Sequence, residues 1–358
     1  MVKIKVGLVG LGEVAQITHL PILQALSDKF EIAALCDISQ QLLSTLGERY
    51  RVPVEHRYLD YHEIAQQDDL DVIFVLNSDE YHTDTALAAI QHGKHVMIEK
   101  PMCLTRAEAD AIISARDKAG VKVMVGYMRR YAPAFVEAVK QVRALEQINY
   151  ARVRDIIGQN ALIISQANAV VYPNDFPPAA ARDRSERARR LVNAAVGDVS
   201  PELQRVYRLL CGLSSHDLSA MRELLGMPRR VAAAREWHGG NFITAIFEYD
   251  DYCVTFETGV DRNVRFDAHI EVYSETKEIR VQYDTPYIRH LPTTLTVVES
   301  HGQAYEESVL RPTFTDPYTI ELQHLYDVLT QDVQPKTTAE DFVQDLELFG
   351  MIMQALQK

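Results

Sequence analysis

The chain has 358 residues, of which 47% are hydrophobic and 24% charged, and its formal net charge is −13. This length is too great for one compact core and fits two domains. The acidic balance argues against binding a phosphate backbone, and no apolar run approaches the about 20 residues of a membrane span, so neither nucleic-acid nor membrane partners are expected. The cysteines are isolated, without C-x-x-C spacing, which predicts no metal site, no disulfide framework and a cytoplasmic location.

The first predicted element is a short strand that ends in Gly10-Leu-Gly12-Glu13-Val14-Ala15, directly before a helical pattern. This order is the context in which a G-x-G-x-x-A match predicts dinucleotide binding. Gly10 permits the tight turn, Gly12 lets the backbone approach a pyrophosphate, and Ala15 keeps the helix close to the strand. The alternative is an ordinary turn that uses glycine for a positive φ.

The second predicted strand, residues 31–36, stops at Asp37. A carboxylate at this point grips the 2′-OH of an adenosine ribose and repels a 2′-phosphate, which favours NAD over NADP. Ser39 nearby keeps NADP open. Asp37 could also serve as a helix N-cap, and one residue could serve both roles.

Strands predicted at 71–76, 95–98 and 121–125 alternate with helices at 83–92 and 105–119, a spacing typical of a doubly wound parallel sheet. Two polar loops follow the carboxyl ends of these strands. One runs from Asn77 to His82, and the other is Glu99-Lys100-Pro101. Open α/β sheets bind ligands at that edge.

These motifs, together with the Val-Gly-Tyr-Met-Arg-Arg-Tyr run at 125–131, resemble the glucose–fructose oxidoreductase / inositol dehydrogenase / rhizopine-catabolism (Gfo/Idh/MocA) family. The resemblance implies an N-terminal Rossmann domain over 1–126 and a C-terminal α+β domain over 127–358. That second domain would hold a large open, mostly antiparallel sheet, and its last helix would pack back. Alternating patterns at 150–155, 242–258, 267–273 and 279–283, and amphipathic helices at 318–329 and 339–356, agree with it.

The resemblance also assigns roles to single residues. Lys100 would hydrogen-bond the reacting hydroxyl, and its charge favours the alkoxide character that develops as hydride departs. His216, followed by Arg222 and Leu-Leu-Gly, would take the hydroxyl proton. The predicted cofactor-binding residues are Gly10, Gly12, Glu13, Val14, Ala15, Asp37, Asn77, His82, Glu99 and Lys100. The predicted substrate-binding residues are Lys100, Tyr127, Arg129, Asp155, His216 and Asp217.

One departure from the family pattern affects the proton acceptor. Many members carry an Asp four residues before this His, and the position here is Gly212; the Asp usual three residues after it is Ser219. The replacement acid would come from elsewhere, with Asp217 or Asp155 as candidates.

The resemblance lapses over residues 173–208, which we interpret as a helical insertion. A helix-prone stretch at 179–196 carries five arginines, and Ser200-Pro201-Glu202 has the signals of a second helix start. The insertion could be a solvated helical hairpin, a lid, or an intersubunit arm.

The sequence therefore predicts an NAD(P)-dependent dehydrogenase that moves hydride between nicotinamide and a CH–OH group of a sugar, polyol or sugar-derived acid, with a homodimer or homotetramer formed through the C-terminal sheet. One alternative is a family member that retains NAD and uses transient oxidation for elimination or glycoside cleavage. The other is a non-catalytic sensor that binds a dinucleotide.

Overall fold

The computed structural model describes residues 2–358, which group into two compact units. The first unit contains the chain up to Gly126, together with Asn168–Ala195 and Glu321–Val343. The second contains Tyr127–Ala167, Val196–Ile320 and Gln344–Lys358. A division between units therefore follows residue 126, as in the sequence analysis. Two later stretches, which the sequence analysis assigned to the second domain, belong to the first unit.

The first unit is built on a six-stranded parallel sheet of order β3-β2-β1-β4-β5-β6. Its strands are β1 (Ile4–Val9), β2 (Phe30–Cys36), β3 (Arg57–Tyr58), β4 (Val72–Val75), β5 (His95–Glu99) and β6 (Val123–Gly126). The order reverses between β1 and β4, and this switch point is where doubly wound sheets bind dinucleotides. The predicted Rossmann sheet is confirmed.

Helices connect these strands, and their ends follow local signals. They are α1 (Leu20–Ala25), α2 (Gln40–Tyr50), α3 (Tyr61–Ala65), α4 (His82–Gln91) and α5 (Arg106–Ala119), with a π-helical stretch at Ala15–His19 leading into α1. Ser39 caps α2 by accepting a hydrogen bond from the Leu42 N–H. Thr105 caps α5 in the same way, and Gly120 ends α5 with a φ of 69°.

The stretch Glu321–Val343 completes the first unit. Its Thr337 binds the edge strand β6 twice: the Val125 N–H donates to the Thr337 carbonyl at 2.9 Å, and the Thr337 hydroxyl donates to the Val125 carbonyl at 2.6 Å. These bonds cover backbone groups that an edge strand would otherwise leave open.

The second unit holds an eight-stranded sheet of order β14-β13-β12-β11-β7-β10-β9-β8, antiparallel except for the β7–β10 pair. Its strands are β7 (Tyr150–Ile157), β8 (Arg230–Trp237), β9 (Phe242–Glu248), β10 (Cys253–Val260), β11 (Phe266–Tyr273), β12 (Lys277–Tyr283), β13 (Thr294–His301) and β14 (Ala304–Leu310). The helices of the rest of the chain are α6 (Pro133–Arg143), α7 (Ala161–Ala167), α8 (Pro178–Val196), α9 (Pro201–Leu209), α10 (Ser215–Leu225), α11 (Pro317–Thr330) and α12 (Ala339–Leu356). The large, mostly antiparallel sheet confirms the predicted second fold.

The two helices of the 173–208 insertion are present as α8 and α9. Residues 178–186 of α8 are almost all exposed, whereas Leu191 and Val192 near its end are buried. In α9, Val206 is fully buried. The interpretation as a solvated hairpin therefore fits only the first half of α8, since the later part carries core residues. Among residues 2–358, no helix is long and apolar enough to span a bilayer.

Candidate active site

The glycine turn after β1 has the geometry that a pyrophosphate requires. Gly10 has a φ of 95°, and a Cβ there would lie 2.4 Å from the Asn77 backbone nitrogen, so only glycine fits. At Gly12 a Cβ would meet no heavy atom within 4 Å. The backbone at Gly12 is therefore open to a ligand, while Gly10 brings the turn against the loop that follows β4.

Asp37, at the end of β2, faces the same turn. One carboxylate oxygen accepts from the Leu11 N–H at 2.8 Å, and the other accepts from the Ser39 N–H at 2.9 Å. Each oxygen keeps a lone pair for a ribose hydroxyl. Burial raises the pKa of Asp37, and the charge of Asp175 adds to the rise, while the backbone N–H donors oppose it.

The loops after β4 and β5 are tied together by His82. Its Nε2 lies 2.9 Å from the Asn77 carbonyl oxygen, and its Nδ1 lies 2.8 Å from the Pro101 carbonyl oxygen. The Asn77 amide donates to the Thr85 hydroxyl at 3.0 Å. His82 is only 2% exposed. Through these contacts His82 holds the two loops together at the carboxyl edge of the sheet. Its contact with the cofactor stays a prediction.

Lys100 stands at the end of β5, next to a buried ion pair. The Glu99 carboxylate lies 2.8 Å from the His19 Nε2 and accepts from the Lys100 N–H at 3.2 Å. Burial works against ionisation of Glu99, but His19 and the Lys100 charge outweigh it and lower the pKa of the carboxyl group. Lys100 itself is half-buried, and its peptide bond to Pro101 is cis. Lys100 thus follows β5, the neighbour of β4 in the sheet.

Residues 168–187, here called the strap, lie against this cofactor-binding edge. The Tyr172 hydroxyl donates to the Glu13 carboxylate at 2.7 Å. The backbone of Val171 exchanges two hydrogen bonds with the Gln16 side chain, at 2.8 and 3.1 Å. The strap therefore touches the turn that carries the predicted pyrophosphate contacts.

The helical part of the strap is fixed to the loop after β4 by charge. Arg187 donates to the Asp84 carboxylate at 2.6 Å, and its guanidinium lies 4.6 Å from the centre of the Tyr81 ring. The Tyr81 hydroxyl in turn donates to Asp183. Of the five arginines that the sequence analysis noticed, Arg187 and Arg184 thus have partners in the first unit, and the partner of Arg184 is Glu80.

In the second unit, His216 lies in the first turn of α10, after a π-helical stretch at Leu210–Ser214. His216 is half-buried. A Cβ at Gly212, where the family Asp would stand, meets nothing within 4 Å, and the φ of Gly212 is not in the left-handed region. The backbone at position 212 therefore has room for an Asp side chain, and its conformation does not require glycine.

Arg129, Asp155 and Asp217 form a buried cluster. The Arg129 guanidinium donates to Asp155 at 3.2 Å and also to Asp217, and both carboxyl groups are fully buried. Burial raises the pKa of Asp217 well above its usual range; Arg129 opposes the rise, and Asp155, which hydrogen-bonds Asp217, adds to it. The raised pKa favours the protonated form of Asp217 in this buried setting.

The remaining predicted substrate residue, Tyr127, is also buried. Its hydroxyl donates to Asp345 at 2.5 Å, and Arg222 donates to the other oxygen of Asp345 at 2.7 Å. Of the predicted substrate residues in this unit, the structure thus brings Arg129, Asp155 and Asp217 together and places Tyr127 in a separate network. Both candidates for the missing acid, Asp155 and Asp217, turn their carboxyl groups to Arg129.

The sequence analysis did not predict the contacts between the strap and the glycine turn region. They involve Asp175 and Tyr172 of the strap, and Gln16 just after the turn. No local motif marks them, because Tyr172 lies 159 residues from Glu13.

The strand order, the open glycine turn and the carboxylate at the end of β2 define a dinucleotide-binding domain, which is followed by an α+β domain. This is the class of two-domain nicotinamide-dependent oxidoreductases.

Comparison with known proteins found a family model and several relatives that resemble this chain. The Gfo/Idh/MocA family model, described as an oxidoreductase family with an NAD-binding Rossmann fold, matches residues 4–127. Inositol 2-dehydrogenase of Salmonella typhimurium is 25% identical over 347 residues, covering 93% of this chain and 88% of that protein. Myo-inositol 2-dehydrogenase of Thermotoga maritima is 31% identical over 127 residues, covering 36% and 37%. The match over residues 4–127 agrees with the resemblance that the motifs indicated for the N-terminal domain.

Solved structures agree on the fold. Levoglucosan dehydrogenase, in complex with NADH and levoglucosan, superposes with a TM-score of 0.76 at 16% identity, covering 99% of this chain and 98% of that one. Aldose-aldose oxidoreductase from Caulobacter crescentus, complexed with glycerol, gives 0.75 at 23% identity, covering 99% and 98%.

Proposed function

We propose that the protein is an NAD-dependent dehydrogenase that oxidises a CH–OH group of a polyol or sugar. The observation that carries this proposal is the cofactor edge, where Gly12 leaves the backbone open and Asp37 keeps a free lone pair on each oxygen. The relative named above that matches over nearly its whole length is an inositol 2-dehydrogenase, and this supports a polyol as the substrate class.

The nicotinamide cofactor, when bound, supplies the hydride acceptor. Lys100 donates a hydrogen bond to the reacting hydroxyl oxygen and stabilises the negative charge that grows on it. The imidazole of His216 accepts the hydroxyl proton. Both roles stay predictions that the experiments below address.

The predicted substrate contacts of Arg129, Asp155 and Asp217 rest on atoms that lack hydrogen-bond partners. These are the Nε of Arg129, one oxygen of Asp155 and one of Asp217, all buried. A buried polar atom without a hydrogen bond is costly, and such atoms occur at functional sites. A substrate hydroxyl is one way to satisfy these atoms, and a proton on Asp217 that bonds Asp155 is the competing way for the two carboxyl oxygens.

A panel of polyols and sugars, scored by the absorbance of reduced cofactor with NAD and with NADP, tests the proposal. With an active substrate, Lys100→Met should lower kcat by about two orders of magnitude while leaving the Kd of NAD unchanged. Lys118→Met, at an exposed position of α5, is the matched control. A protein that neither binds NAD nor reduces it with any member of the panel would contradict the proposal, and near-normal turnover of Lys100→Met would remove that residue from the chemistry.

One observation favours a second candidate, a protein that keeps its NAD and uses transient oxidation for elimination or glycoside cleavage. The strap bonds Glu13, in the glycine turn, and Ser39, after β2, so it contacts two parts of the predicted cofactor site. Tightly bound cofactor in the purified protein, with turnover but no net change in cofactor absorbance, would distinguish this candidate from the dehydrogenase. The predicted homo-oligomer and cytoplasmic location stay predictions, and the mass in solution tests the first.

A further inference from the structure

Asp175, in the strap, makes two hydrogen bonds at the start of α2. One carboxylate oxygen accepts from the Ser39 hydroxyl at 2.5 Å, and the other accepts from the Gln41 backbone N–H at 2.8 Å. The Asn174 N–H donates back to the Gln41 side chain at 3.2 Å. The carboxylate is thus held in place from both sides, although Asp175 is exposed.

The start of α2 is the place where NADP would need an anion site. The helix begins at Gln40, three residues after Asp37, whose predicted partner is the 2′-OH of the adenosine ribose. A 2′-phosphate would extend from that oxygen, and the free N–H groups of a helix start, with a neighbouring hydroxyl, are the donors that bind phosphate. Here the Ser39 hydroxyl and the Gln41 N–H already donate to Asp175.

Asp175 also adds negative charge beside Asp37. Its charge contributes to the raised pKa of the Asp37 carboxyl, so the two groups interact electrostatically. A phosphate carrying up to two negative charges would meet both carboxylates within a few ångströms, where like charges repel appreciably even near the surface. The strap therefore occupies the hydrogen-bond donors that a 2′-phosphate would need, and its Asp175 carboxylate would repel that phosphate.

We propose that Asp175 occupies the anion position that a 2′-phosphate would take, and that it acts with Asp37 to select NAD over NADP. The preference for NAD over NADP would then depend on a segment that lies more than a hundred residues after the glycine turn. This inference rests on the proposed function, because it requires the Asp37 edge to bind the adenosine ribose. It also resolves the role left open for Ser39, whose hydroxyl is committed to the helix start and to Asp175.

Calorimetric titration of the full-length protein with NAD and with NADP tests the inference. In Asp175→Asn the side chain keeps an oxygen for the Ser39 hydroxyl but loses its charge. The Kd of NADP should fall by about tenfold, since one nearby like charge is removed, while the Kd of NAD stays the same. Glu186→Gln, the same charge change at an exposed position of the strap, should alter neither value. Asp37→Asn should weaken NAD.

The outcomes separate the possibilities. An unchanged ratio of the two dissociation constants in Asp175→Asn would overturn the inference, and so would an equal change in both, which would mean that Asp175 only caps the helix. If the wild-type protein binds neither cofactor, the proposed function itself fails. If it binds NAD and Asp37→Asn weakens NAD while Asp175→Asn has no effect, only the role of Asp175 fails.

Discussion

Asp217 follows His216 in the sequence, yet its carboxyl group belongs to a different environment. It is fully buried beside Arg129 and Asp155, whereas the imidazole is half-buried at the head of α10. Successive residues of a helix point about 100° apart, so a neighbour in sequence rarely shares a direction. A carboxyl group next to a catalytic histidine in the sequence is therefore weak evidence for a catalytic pair.

The cluster predicts how stability depends on pH. The pKa of Asp217 is raised in the folded protein, so the fold holds a proton that the unfolded chain releases above the group's usual pKa. The stabilising contribution is complete below that usual pKa and is lost as the pH rises through the raised one. Asn mimics the protonated acid at every pH. The difference in Tm between Asp217→Asn and wild type should therefore increase from acid to mildly alkaline pH, by roughly 2 °C or more, which is the shift that 1 kcal/mol produces in a domain of this size.

Thermal melts across that range provide the measurement. Asp198→Asn, at an exposed position, is the control and should differ from wild type by the same amount at every pH. A difference for Asp217→Asn that stays flat or shrinks as the pH rises would show that Asp217 is ionised in the fold.

His216 makes a prediction about rate. A proton acceptor must be neutral to work, so kcat/KM for alcohol oxidation should rise with pH as the imidazole loses its proton. His216→Asn should remove that rise and lower kcat by roughly 10²–10⁴, the usual share of a positioned base. His92→Asn, at an exposed position, should leave both unchanged. If His216→Asn keeps the same pH profile, another group accepts the hydroxyl proton.

At the scale of elements, the strap is a short loop and half a helix with few core residues. Its position depends on polar contacts, chiefly those of Arg187 with Asp84 and Tyr81. Such contacts near the surface contribute about 1 kcal/mol each at most. Elements held in this way open at low cost and are suited to gate a ligand.

Arg187→Ala should therefore speed the release of NADH by about fivefold, because it removes one ion pair and one cation–π contact from a segment that lies against the cofactor edge. Its Tm should stay close to that of wild type, since Leu191 and Val192 further along α8 remain packed. Stopped-flow displacement of NADH measures the rate, with Arg189→Ala as the exposed control. Equal release rates in the two variants would mean that the strap does not hold the cofactor.

At the scale of the whole molecule, the sequence predicted what local chemistry determines. Hydrophobic runs predicted β1, β2, β4, β5 and β6, and the helix predicted at 105–119 agrees with α5 to within one residue. Asp37 was considered as the N-cap of the next helix, but the cap of α2 is Ser39, two residues further on. The sequence analysis did not predict α6, the edge strands β8 and β14, or β13 between β12 and β14. β14 is largely exposed, so it lacks the apolar alternation that marks a half-buried strand.

The long-range part of the site could not be predicted. The bonds from Asp175 to Ser39 and from Thr337 to Val125 join residues 136 and 212 positions apart, and no periodicity records such pairings. The same limit applies to Arg129, whose partners come from β7 and α10. Motif spacing identified the ends of the strands, while the contacts that position the side chains there required the fold.

The pairing of Thr337 with β6 has a consequence for synthesis. The strand that closes one edge of the Rossmann sheet is complete at Gly126, but its covering residue is made more than two hundred residues later. The unit that begins the chain is therefore finished only when residue 343, close to the C-terminus, has left the ribosome. Until then the nascent chain carries a sheet with a bare edge, which is the kind of surface that chaperones and neighbouring chains engage.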